Sequence, residues 1–157
     1  MKLFISGILM TQIYLAELTV YDPDLPGTTT LRFTDYPVFN APDAPGEYTG
    51  RIGGVTLFDV QLSPDPRQAG PQVASGGITL KNTDRSLDAL LLRCGVAGHP
   101  FTLKLGDHAD AYAEFTTILT GKMLAPKRTA GGYEIALRDA GLDLDERLGR
   151  TAFASGW

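Results

Sequence analysis

Proline and glycine cut this chain into short runs, and that punctuation confines it to a fold built mainly from short strands. Asp22-Pro23-Asp24-Leu25-Pro26-Gly27 is a turn, because two prolines remove ladder donors and a glycine permits unusual dihedrals. A second Pro/Gly-rich loop covers residues 63–76, and a third turn covers 126–132. Between them lie runs with strand composition: 13–21, 28–33, 55–62, 77–81, 100–105, 112–124 and 133–139. The first two form a hairpin across the 22–27 turn, and 112–124 can pair with 100–105 across Gly106-Asp107-His108-Ala109-Asp110. In 100–105, Phe101, Leu103 and Leu105 share one face. In 13–21 the alternation of Ile13, Leu15, Leu18 and Val20 slips by one near Ala16-Glu17, which predicts a bulge.

One stretch departs from this pattern. Asn82-Thr83-Asp84 supplies capping side chains before Leu87, Leu90 and Leu91, whose spacing describes one apolar helical face, so a helix is predicted over about 85–93, stopped by Gly95. About seven short strands and one short flanking helix predict a mostly β fold, a small barrel or sandwich. That domain spans 13–139. Residues 140–157 form a C-terminal extension, and 1–12 are either an N-terminal arm or an extension upstream of a natural start at Met10.

Composition narrows the function. With 157 residues, 43% hydrophobic and 20% charged, the chain is expected to fold as one unit. A net charge of −4 with scattered Lys and Arg argues against nucleic-acid binding by phosphate neutralisation. The apolar run at the N-terminus has no small-residue cleavage site and is too short to span a bilayer, so no signal peptide and no stable membrane insertion are expected. The single cysteine, Cys94, has no partner for a disulfide or a metal site and reads as a small buried side chain.

No constellation of catalytic, metal-binding or cofactor-binding residues emerges. His99 precedes a proline and His108 sits in a turn among acids. Asp107 and Asp110 lack the later glutamate of a calcium loop and read as turn formers. Gly53-Gly54 and Gly76-Gly77 are not followed by the helix a phosphate loop needs. Asp139, Asp143, Asp145 and Glu146, balanced by Arg138, Arg147 and Arg150, read as a solvated face or as inter-subunit ion pairs. A non-enzymatic role without cofactor follows.

The long connection 35–54 carries Tyr36, Phe39 and Tyr48 among four glycines and three prolines. Aromatic residues in such a loop need covering, either by the protein's own core or by a neighbouring subunit. Tyr36, Phe39 and Tyr48, with Leu142, Leu144, Phe153 and Trp157 of the C-terminal extension, are the candidate assembly contacts.

The stretch Ile78-Thr79-Leu80-Lys81-Asn82-Thr83-Asp84-Arg85-Ser86-Leu87-Asp88-Ala89-Leu90 resembles hub and baseplate proteins of tailed phages, where a strand ends in Asn-x-Asp and a Leu-Asp-x-Leu helix follows. Gly98-His99-Pro100-Phe101-Thr102-Leu103-Lys104-Leu105-Gly106 and Phe115-Thr116-Thr117-Ile118-Leu119-Thr120-Gly121-Lys122-Met123 are similar to their next strands. The resemblance implies a tail-tube-like fold in a virion tail tip, assembled in the host bacterial cytoplasm. It also implies a homo-oligomeric ring of three or six copies that contacts tube, distal tail, fibre or central tip proteins. It leaves open a hub or a smaller adaptor. The competing reading is a β-sandwich carbohydrate-binding module with Tyr36, Phe39 and Tyr48 as a stacking platform.

Overall fold

A computed structural model describes residues 2–5, 8–59 and 75–138. Among these it contains strands β1 (Lys2–Ile5), β2 (Ile8–Tyr21), β3 (Thr28–Thr34), β4 (Val38–Phe39), β5 (Tyr48–Gly50), β6 (Ile52–Asp59) and β7 (Ser75–Lys81). Helix α1 (Ser86–Arg93) follows, then β8 (Pro100–Asp107), β9 (Thr116–Met123), β10 (Lys127–Thr129) and β11 (Gly132–Arg138). The mostly β architecture with one flanking helix is the one the punctuation predicts.

The strands join in one hydrogen-bonded order, β4-β5-β3-β2-β8-β9-β11-β7-β6, with β1 added to β2 and β10 added to β11. By strand pairing the sheet is open, yet β3 towards one end and β7 towards the other are tied through one residue. Arg51, between β5 and β6, donates its N–H to Thr34 at 2.9 Å and accepts from the Lys81 N–H at 2.7 Å. Its guanidinium holds both carboxylate oxygens of Asp84 at 2.7 Å and the Ser86 hydroxyl at 2.8 Å, which ties the same point to the start of α1.

Strand β2 is the centre of the molecule. It pairs without a register break with β3, from Leu15 opposite Thr34 to Tyr21 opposite Thr28, and with β8, from Gln12 opposite Asp107 to Leu18 opposite Phe101. The predicted bulge at Ala16-Glu17 is therefore absent. The slip in the pattern has another cause: side chains alternate between the two faces of a strand, and β2 buries residues on both. Ala16, Leu18 and Val20 enter the main core with Phe33, Ile78, Leu80, Phe101, Leu103, Ile135 and Leu137, whereas Ile13 and Leu15 enter a second, smaller core.

Leu87 and Leu91 seat α1 on the main core. Gly95 does not stop the helix by a left-handed turn. Cys94 is already extended (φ −81°, ψ 141°), and Gly95 exchanges two 2.8 Å backbone bonds with Tyr21, so a tertiary contact ends α1. Three further expectations are corrected. The connection 35–54 contains β4, β5 and the start of β6, residues 112–114 are a 3-10 turn rather than strand, and the turn 126–132 contains β10. Single-strand propensity cannot signal elements of two or three residues whose order comes from partners distant in sequence.

Candidate assembly surface

Residues 36–48 form a strap across the β2 face that carries Ile13 and Leu15. Phe39 and Tyr48 are buried there with Phe115, and Tyr36, Ala41, Ala44 and Tyr112 pack around them. Phe39 meets Tyr48 and Phe115 edge-on, with ring centroids 5.9 and 5.1 Å apart, the geometry favoured by aromatic quadrupoles. Of the three loop aromatics, then, two are covered by the chain's own core and Tyr36, half-buried, lies tilted against His108 with ring centroids 5.0 Å apart. Tyr48 is fully buried and Phe39 nearly so, which removes two rings from any sugar-stacking platform.

Beneath the strap lies a polar cluster. Tyr48 and Tyr112 both donate their hydroxyls to the Glu17 carboxylate, and Lys104 donates to the Tyr112 oxygen. The Lys104 ammonium lies 3.9 Å from Glu17 and 3.9 Å from the centre of the Tyr112 ring. Burial and the bond to Glu17 hold the Tyr48 phenol far above its usual range, so it stays a donor.

Asp43 fastens the strap from outside by accepting the backbone N–H groups of Tyr112 at 3.0 Å and Ala113 at 2.9 Å. Those bonds favour the ionised carboxyl and lower its pKa. A group depressed in the folded state stabilises it above its unfolded value, near 3.8 here, and loses that contribution as pH falls through the folded one. Asp43→Ala is therefore expected to lower the melting temperature at pH 7, with the difference from wild type shrinking as the pH drops below about 4. A difference independent of pH, in melts followed by circular dichroism, would sink this reading.

Between the strap at 38–43 and the turn at 108–111 lies a cleft of about 630 Å³. The turn is formed as its aspartates suggest: Asp107 accepts from the Ala109 N–H at 2.9 Å, and Asp110 accepts from the Asp107 N–H at 3.1 Å.

The Asn-x-Asp stretch proves to be a packing device. Asn82, buried, accepts the Leu87 N–H at 2.9 Å and donates to Asp88 at 2.7 Å, while Asp88 also receives the Tyr133 hydroxyl at 2.7 Å and lies 3.2 Å from Arg128. Asp84 accepts the Arg51 guanidinium and the Ser86 N–H, which hold its carboxyl well below the usual range. The N-cap residue of α1, Arg85, makes no side-chain cap bond; Asn82 and Asp84 before it take the first-turn N–H groups instead and lock the helix to β7, β11 and the joint at Arg51.

His99 is half-buried beside β8, Cys94 is buried, and Gly53-Gly54 and Gly76-Gly77 lie within β6 and β7. Among the described residues no group of three His, Cys, Asp or Glu could hold a metal ion, and no helix is long and apolar enough to cross a membrane. Leu142, Leu144, Phe153, Trp157 and the acidic cluster from Asp139 onward lie outside the described residues. Glu17, Asp43, Lys104 and Tyr112 were not singled out by the sequence. The one local signal was the carboxylate of Glu17, the single charged residue of β2.

No family model matches this chain, and no curated protein does. Among solved structures, it is similar to a chain of the virion of the native gene transfer agent (GTA) particle, with a TM-score of 0.60 and 20% identity over 88% of this chain and 43% of that one. The two share a fold, and this chain spans less than half the length of its neighbour.

Proposed function

We propose that this chain is a non-enzymatic structural subunit of a phage or phage-like tail, a ring subunit or a hub or adaptor at the tail tip that joins the tube to tip proteins and fibres. The observation that carries the reading is the fold shared with a chain of a gene transfer agent virion over 88% of this chain. The resemblance of residues 78–90 to phage hub and baseplate proteins points the same way. Edge strands and exposed apolar side chains such as Leu57 and Leu92, half and four-fifths exposed, are surfaces that closed assembly covers. Its partners on this reading are copies of itself and the adjoining tube, distal tail, fibre or central tip proteins, and its place is the virion tail tip.

Light scattering of the purified chain, followed by negative-stain imaging, tests the reading. The expected result is a closed ring with three or six times the mass of one chain. A monomer at all concentrations that also fails to join purified tail tubes would overturn it.

A further inference from the structure

The cleft beside the strap has an open strand edge in its wall. Gly50 donates to the Pro37 carbonyl at 3.1 Å, and the same register sets Val38 opposite Thr49 and Phe39 opposite Tyr48. In an antiparallel ladder, pairs that exchange hydrogen bonds alternate with pairs that do not. Since residues 37 and 50 are bonded, Val38 and Thr49 are not, and the N–H and C=O of Val38 point away from β5. Strand β4 is also the end of the sheet, so among the described residues no further strand lies beyond that edge.

The rest of the wall has a definite character. Its charged groups are Asp43 and Asp110, accompanied by His108 and with no Lys or Arg, while Val38, Phe39, Ala41, Pro42 and Ala111 supply apolar surface. Asp43 is held ionised by the two N–H groups it accepts. An extended backbone bonds to a free donor and acceptor on a sheet edge, and its alternate side chains select the pocket. Apolar walls with carboxylates select a strand in which basic side chains alternate with aliphatic ones.

We propose that the cleft between residues 38–43 and 108–111 takes an extended, positively charged segment of a neighbouring chain of a different kind, added as a strand to the open edge of β4. The proposal deepens the tail-subunit reading and rests on it only for the existence of a neighbour; its test does not involve ring formation, so either can fail alone. The chain's own basic edge strand, β10 with Lys127 and Arg128 exposed, is the rival occupant from a second copy.

The test follows backbone amide resonances of the whole ¹⁵N-labelled chain while acetyl-Lys-Val-Lys-Val-Lys-Val-amide or its Glu-Val counterpart is added. Expected are shifts confined to 38–43 and 108–111 with the lysine peptide, and binding weaker by roughly tenfold with the glutamate peptide, as lost and reversed ion pairs require. Ala109→Lys, at an exposed cleft position, should weaken the lysine peptide by about the same factor with the other resonances unmoved. Val38→Pro, which removes the outward N–H while leaving an apolar side chain at that position, should do likewise. Equal binding of both peptides, shifts elsewhere, or no shift at millimolar peptide overturns the proposal. So do concentration-dependent shifts of these residues without peptide that Lys127→Glu abolishes, which would give the cleft to a second copy.

Discussion

Gly132→Ala is expected to leave the chain unfolded under conditions in which the unaltered protein is native. A Cβ at Gly132 would stand 1.8 Å from the Leu80 carbonyl oxygen, 2.9 Å from its carbon and 3.1 Å from the Asn82 nitrogen. All three atoms are backbone, so no side chain can swing aside. Relief means prising β11 from β7, whose register sets Gly132 against Lys81 and Tyr133 against Leu80, a fully buried residue. The cost should reach the ~4–5 kcal/mol at which single substitutions become exceptional, a large part of the ~5–15 kcal/mol that holds a domain together. Gly131→Ala is the control, since a Cβ there meets nothing within 4 Å. Circular dichroism and soluble yield decide the matter: a Gly132→Ala protein that melts like the Gly131→Ala protein would contradict this packing of β7 on β11.

The second large effect is expected at Glu17. Removing its carboxylate by Glu17→Ala strips the acceptor from two tyrosine hydroxyls and leaves the Lys104 ammonium without its counter-charge, all beneath the strap. Breaking a buried pair from one side costs about 3–5 kcal/mol. The side chains of Glu17 and Lys104 are 21% and 17% exposed, so water recovers part of that and about 2–3 kcal/mol is expected. Glu17→Gln keeps an acceptor oxygen and should cost about half as much. Urea unfolding of the three proteins measures both values. Equal stability of the wild-type and alanine proteins would mean that the strap is held by its rings alone.

What could be read from the sequence was whatever repeats locally. The alternation of Phe101 with Leu103 and of Tyr133, Ile135 and Leu137 marks strands that bury one face, and Leu87 with Leu91 marks the buried stripe of α1. The Asn82–Asp84 stretch announced a helix cap because capping is a local bond. Where burial switches sides, the same reasoning misleads: β2 has Leu15 and Ala16 buried on opposite faces, a pattern indistinguishable in one dimension from an inserted residue. Strands β4, β5 and β10 were invisible because two or three residues carry no period.

The candidate surface was legible only in its ingredients. Tyr36, Phe39 and Tyr48 required a cover, and the sequence offered the protein's own core or a neighbour without deciding between them. The choice fell to Ile13, Leu15 and Glu17 on β2 and to Phe115 just before β9, which lie far apart in the chain and come together once β8 has paired with both β2 and β9.

The central place of β2 has a consequence for how the protein is made. Strand β8, which flanks its other side, ends at Asp107, 86 residues after β2 has left the ribosome at Tyr21. At ordinary synthesis rates of about 5–20 residues per second, one edge of β2 waits roughly 4–17 seconds for its partner. Such non-local pairing is slow to form and open to aggregation in the interval. The nascent chain should therefore depend on chaperones from β2 onward, because β2 emerges well before the strand that encloses its other edge.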